Sequence, residues 1–205
     1  MLAGELEAWK KLEALDPYEV AERAGVEYWD EDDVLVVLVF GEPYIVNVTE
    51  REIREIGPHH HFHALESTHF GLLVPLYLAS CTESEPMGTL VAPRSLSHGA
   101  SFFKGPHELP TDVIAHHFGS NPTHLVKVGQ KLGGSPSSHG DAAVTIPAFP
   151  RLPVTVILWV GDLEFPSRSQ LLLDETVTRH FQLDAIWATI LMTCEALVQV
   201  AGPHY

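Results

Sequence analysis

The chain has 205 residues, 45% hydrophobic and 19% charged, enough apolar material for one packed core and too much for a disordered tract. Acidic residues outnumber basic ones 27 to 12, a formal net charge of −15 that argues against binding duplex nucleic acid or docking on anionic lipid. The 13 histidines depart from this balance: protonating all of them would bring the charge to −2, so the surface changes character between about pH 5 and 7.

In chain order, Leu6, Trp9, Leu12 and Leu15 recur at helical spacing over 5–15. Asp16-Pro17 reads as a cap followed by proline in the first turn of a second helix, which Gly25 ends. The β-branched run Val34 to Phe40, the turn at Gly41-Glu42-Pro43 and the segment Tyr44 to Val48 predict a hairpin, with Val26 to Trp29 as a third strand. Gly57-Pro58 breaks the chain before a His-rich stretch, and Leu65 to Ala79 is expected to be a buried helix despite Pro75.

The middle of the chain is punctuated by Gly and Pro, so only short helices are expected, at Ser95 to Phe103 and Thr111 to Phe118. Asn121-Pro122 starts another that stops at Gly133-Gly134, and residues 135–140 read as a mobile loop. Strands are expected at Ala143 to Ile146, Val154 to Val160 and Ser169 to Leu173. The chain closes on an amphipathic helix with Leu183, Ile186, Trp187, Ile190, Leu191, Cys194, Leu197, Val198 and Ala201 on one face. Residues 1–205 thus read as a single α+β domain, an antiparallel or mixed sheet packed by helices, with a long amphipathic C-terminal helix.

The C-terminal half carries a recognisable pattern. Pro150-Arg151-Leu152-Pro153-Val154 leads into Ile157-Leu158-Trp159-Val160-Gly161-Asp162-Leu163-Glu164-Phe165-Pro166. Leu171-Leu172-Leu173-Asp174, the stretch His180 to Asp184, Leu132-Gly133-Gly134 and Phe118-Gly119 accompany it. Over Asp16 to Asp184 the chain resembles a bacterial and archaeal family catalogued as domain of unknown function 3786. The resemblance implies an anaerobic redox or corrinoid-type context, since some members carry an iron–sulfur domain ahead of this one. It brings no catalytic assignment.

Three segments are candidates for chemistry. In Pro58-His59-His60-His61-Phe62-His63, a helix beginning near Pro58 would place His59 and His63 at i and i+4, with Glu66 three residues on. Two imidazoles and a carboxylate suit Zn, Ni or Fe and leave a coordination position open. His69 lies off that stripe, beside Phe70 and Leu73, and reads as a lone axial ligand to a haem or another tetrapyrrole in an apolar pocket. A solvated His-rich loop without a ligand accounts for the same residues. On the helix after Pro110, Asp112 and His116 form an i, i+4 carboxylate–imidazole pair, or a first-turn acid beside a surface histidine. Asp162 and Glu164, in the turn after Trp159, would hold a hard cation or work with His116 in proton transfer. A plain hairpin with Trp159 and Phe165 packed beneath it explains that turn equally well.

Cys81 and Cys194 sit in apolar surroundings and read as buried thiols. The run Ile186 to Ala201 reads as too short and too polar to span a bilayer, and the first 15 residues lack the pattern of a secretory signal, so the expectation is a cytoplasmic protein. The leading functional expectation is histidine-mediated binding of a metal ion (Fe, Zn or Ni) or a metal-containing cofactor, with His59, His63, Glu66 and His69 as ligands. The alternatives are a metal-independent enzyme using Asp162, Glu164 and His116, and an interaction module or homodimer built on the C-terminal helix.

Overall fold

A computed structural model describes residues 3–57 and 61–202. Two helices open the chain, α1 (Ala3–Glu13) and α2 (Pro17–Ala24). The Asp16 carboxylate accepts from the Tyr18 and Glu19 backbone N–H groups, and Gly25 ends α2 in the left-handed conformation at φ +65°. Both signals act as capping chemistry requires. Strands β1 (Glu27–Trp29), β2 (Val34–Val39), β3 (Glu42–Asn47) and β4 (Glu52–Glu55) form an antiparallel meander in chain order. The fourth strand, Glu-Ile-Arg-Glu, escaped the sequence reading because three of its four residues are charged and its burial is slight.

The helix expected from Leu65 is shorter at its start: Ala64–Glu66 make one 3₁₀ turn, and α3 runs Phe70–Ser80. Short β5 (Leu90–Val91) and α4 (Gly99–Phe102) follow, the latter a single turn where a longer helix was expected. His98 stands just before it with φ +61°, a conformation that stops any helix from running through 95–103. Next come α5 (Thr111–Phe118) and α6 (Pro122–Lys131). The supposed loop after α6 begins instead with β6 (Ser135–Pro136), which pairs with β7 (Ala142–Phe149). Strands β8 (Leu152–Trp159) and β9 (Arg168–Asp174), the turn α7 (Val177–His180) and α8 (Leu183–Ala201) complete the chain.

The second sheet is also antiparallel, in the order β5-β9-β8-β7-β6. The fold is therefore α+β, two antiparallel sheets packed by helices around one continuous core, with a long C-terminal helix. The sheets meet where the Phe40 N–H donates to the Pro147 carbonyl at 3.1 Å. Beside that seam Gly41 (φ +76°) and Gly133 (φ +71°) pack backbone against backbone, where a Cβ on either would lie 3.0 Å from the other's Cα. Only glycine satisfies both the angle and the approach.

Helix α8 packs against α3, α5, α6 and β7. Its buried stripe is Ile186, Ile190, Cys194 and Leu197, while Trp187 and Leu191 sit half-buried on its flank. Thr189 and Thr193, buried in the same stripe, donate their hydroxyls to the carbonyls one turn back at 2.8 Å, which removes the cost of two unpaired polar groups. At 19 residues α8 is longer than the expected apolar run, and by length and composition it is long enough to cross a membrane. More than half of it lies inside the protein core.

Candidate functional site

From His61 onward, where the His-rich stretch is described, the chain is not helical until the 3₁₀ turn at Ala64–Glu66. Phe62 and Ala64 point inward, Phe62 edge-on to Phe40 at 5.5 Å, and this leaves His61, His63, Leu65 and Glu66 facing solvent. The His61 N–H donates to the Glu42 carboxylate at 2.7 Å, and Ser67 donates to Glu195 on α8 at 2.7 Å. Burial of alternate residues overrides helical periodicity over 61–64. His59 itself lies outside the described residues. Among the described residues, no three His, Cys, Asp or Glu side chains converge closely enough to hold a metal ion.

His69 is placed differently. It is the residue before α3, and its ring lines a pocket of about 410 Å³ between α1, α3 and α8. Small side chains on α1 and α8 (Ala8, Ala185, Ala188) give the pocket its depth, and Leu72 and Leu76 supply an apolar wall. Trp187 forms part of its lining. His69 meets the indole edge-on at 6.1 Å and His107 does so at 5.1 Å, with His107 stacked on Phe102 at 4.3 Å. The Trp187 N–H is buried and has no hydrogen-bond partner, an uncommon state for an indole. Charged side chains, Glu7, Lys11 and Asp184, complete the lining.

The acidic turn is a self-contained loop. The Asp162 carboxylate accepts from the Glu164 and Phe165 N–H groups, both at 2.8 Å, and the Asp162 N–H donates to the Phe165 carbonyl. Those two backbone donors hold the Asp162 carboxyl below its usual range. The packing expected beneath the turn is half right. Arg168 lies over the Trp159 ring at 4.6 Å, but Phe165 is 68% exposed and Leu163 fully so. His116 lies on the exposed face of α5, as does Asp112. That helix is bound to the far end of the loop by Ser167, which donates to the Ala115 carbonyl at 3.0 Å.

A second cluster joins residues that no local motif links. Cys81 caps the end of α3, and its Sγ lies 3.4 Å from Nδ1 of His180, 99 residues away. The two are 2% and 3% exposed. The Thr82 N–H donates to the same Nδ1 at 3.2 Å. Arg151, 7% exposed, donates to the Arg23 and Glu22 carbonyls and so closes the C-terminus of α2. Arg23 in turn donates to the Leu78 and Cys81 carbonyls at the end of α3. Tyr77 donates to the Ala24 carbonyl at 2.6 Å and accepts from the Arg151 N–H. Burial raises the Cys81 thiol pKa and, with Arg151 and Arg179 nearby, lowers that of the His180 imidazole, so both rest neutral.

The fold and these two sites define an α+β protein with an open apolar histidine pocket and a separate closed thiol–imidazole cluster. The chain belongs to the family described as a domain of unknown function (DUF3786), whose model matches residues 16–196. Comparison with curated proteins and with solved structures returns no match.

Proposed function

We propose that the protein binds a metal-centred cofactor of the tetrapyrrole class in the pocket lined by Trp187, where His69 would be the residue that holds its metal. The observation that carries this reading is the grouping of His69 and His107 around the Trp187 ring in the lining of one largely apolar pocket. A simple ion needs three or four protein donors. A tetrapyrrole asks the protein for one or two imidazoles and an apolar surround, and His69, His107, Leu72 and Leu76 are residues of that kind in one pocket lining. Bound there, such a group would provide redox or methyl-transfer chemistry, as the anaerobic context of the resemblance suggests. The chain's own residues would orient it: Leu72 and Leu76 would exclude water, His69 and His107 would offer nitrogens, and the Trp187 ring would form part of the wall. On this reading the protein acts in the cytoplasm on a small molecule.

The test is a spectroscopic titration of the untagged chain with haemin and, separately, with hydroxocobalamin. Saturation at one equivalent, with a band shift diagnostic of imidazole ligation, is the expected result for one of the two. His69→Ala should lose that shift while the far-ultraviolet dichroism is retained. Failure of both probes to bind, or unchanged spectra in His69→Ala and His107→Ala, would overturn the reading.

A further inference from the structure

The Cys81 cluster has a feature that capping two helices does not require. Segment 82–89, Thr-Glu-Ser-Glu-Pro-Met-Gly-Thr, crosses over it as a strap tied down at four points. Thr82 bonds to His180, Ser84 accepts from Arg179 at 3.3 Å, Glu85 pairs with Arg151, and the Gly88 N–H donates to Asp174 at 2.7 Å. The Glu85 side chain is otherwise 73% exposed, yet it supplies the carboxylate to a guanidinium that is nine-tenths buried. Arg151 and Cys81 converge on one acceptor: Nε of Arg151 lies 2.8 Å, and the Cys81 Sγ 3.8 Å, from the Arg23 carbonyl.

His180 is held in one tautomer. Its Nδ1 accepts the Thr82 N–H, so the neutral ring carries its proton on Nε2. That N–H is buried on the side of the ring away from Cys81, and the Ser84 backbone lies near enough to favour a charged ring. A buried guanidinium served by a surface carboxylate and a thiol within reach of an imidazole are together the fittings of an anion subsite beside a nucleophile.

We propose that Cys81 and His180 form a covalent acceptor site for a small electrophile that carries a carboxylate. The substrate carboxylate takes the place of Glu85 on Arg151. The Cys81 Sγ forms a bond to the electrophilic carbon, the leaving group departs with its bonding pair, and the thiol proton passes to Nδ1 of His180. Nδ1 has one in-plane lone pair, so taking that proton displaces the Thr82 N–H. The strap therefore shifts at Thr82 in the same step, and Glu85 is carried on that strap. Neutral thiol and neutral imidazole make His180 a general base rather than half of a resting ion pair. Cys194, as buried as Cys81 but with no imidazole or guanidinium partner among its described contacts and its thiol pKa raised to about 12 by burial alone, is the internal control.

The test alkylates the folded chain with iodoacetate and with iodoacetamide near neutral pH, reading each cysteine by mass spectrometry. The ratio of iodoacetate to iodoacetamide rates at Cys81 should exceed that of the urea-unfolded chain by about tenfold, the worth of a charged hydrogen bond. Glu85→Gln, a change at an exposed side chain, should raise the iodoacetate rate again, and His180→Gln should slow both reagents. Should His180→Gln fail to fold, the wild-type ratio and Glu85→Gln still decide. A Cys81 that reacts no faster than Cys194, or with the unfolded chain's ratio, overturns the proposal.

Discussion

The pocket at Trp187 and the cluster at Cys81 both lie at the ends of α3, and they are opposites. Near its start the helix faces an open apolar pocket whose polar atoms are few and underused. At its end polar groups are crowded, buried and nearly all bonded, under a strap held by its own side chains. The contrast teaches where each region's energy resides. Apolar walls lose little when one residue changes, whereas a buried ionic network loses most of its value when one member is removed.

That contrast makes its largest prediction at Arg151. Arg151→Ala removes the charged donor that serves the Arg23 and Glu22 carbonyls at the end of α2, and should cost about 3 kcal/mol in chemical denaturation, the exposed Glu85 adding little. A change below 1 kcal/mol would show that the network is slack. Asp174 should follow: it is buried and accepts from the Thr176 hydroxyl and N–H and from the Gly88 N–H. Burial opposes its ionisation, but the hydrogen bonds from Thr176, Met87 and Gly88 prevail and hold its carboxyl below the usual range. The stability it contributes is thus present above the unfolded value near pH 3.8 and lost as pH falls through the lower folded value. Asp174→Asn should cost about 1–3 kcal/mol at neutral pH and flatten the acid limb of a denaturation-midpoint profile.

His180 sharpens the comparison at milder pH. Burial, then Arg151 and Arg179, depress its folded pKa below 6.5, so between that depressed value and 6.5 the unfolded chain binds more protons than the folded one. Stability should therefore be full above pH 6.5 and decline on acidification through that window, and His180→Gln should remove this part of the slope. Melting curves collected across the window test it; a slope unchanged in the variant would exonerate His180. Leu72→Trp makes the smallest change in stability, within about 1 kcal/mol, because the pocket already holds space for the added ring. It should nevertheless abolish haemin or corrinoid binding, and retention of full affinity would move the ligand elsewhere.

Sequence patterns read well wherever a local rule was sufficient. The Asp16 cap, the Gly25 stop and the strands at 34–48, 143–146 and 154–173 each depend on neighbours a few residues away. Reading failed where distant packing competed with the local rule. Phe62 and Ala64, drawn into the core, turned a helical histidine pattern into an outward-facing segment, and Phe165, expected beneath its turn, lies exposed. Asp162 looked like half of an acid pair, but a short aspartate at the start of a turn bonds its own backbone first.

Composition and periodicity by themselves determined an acidic α+β chain with a buried C-terminal helix, because hydrophobic spacing and capping act over one or two turns. Only the tertiary structure decided that Cys81 meets His180 across 99 residues, that Arg151 closes the C-terminus of α2, and that His69 and His107 flank one tryptophan. Such contacts arise when separate elements are packed into a common core, and no local spacing along the chain encodes which side chains the packing will bring together.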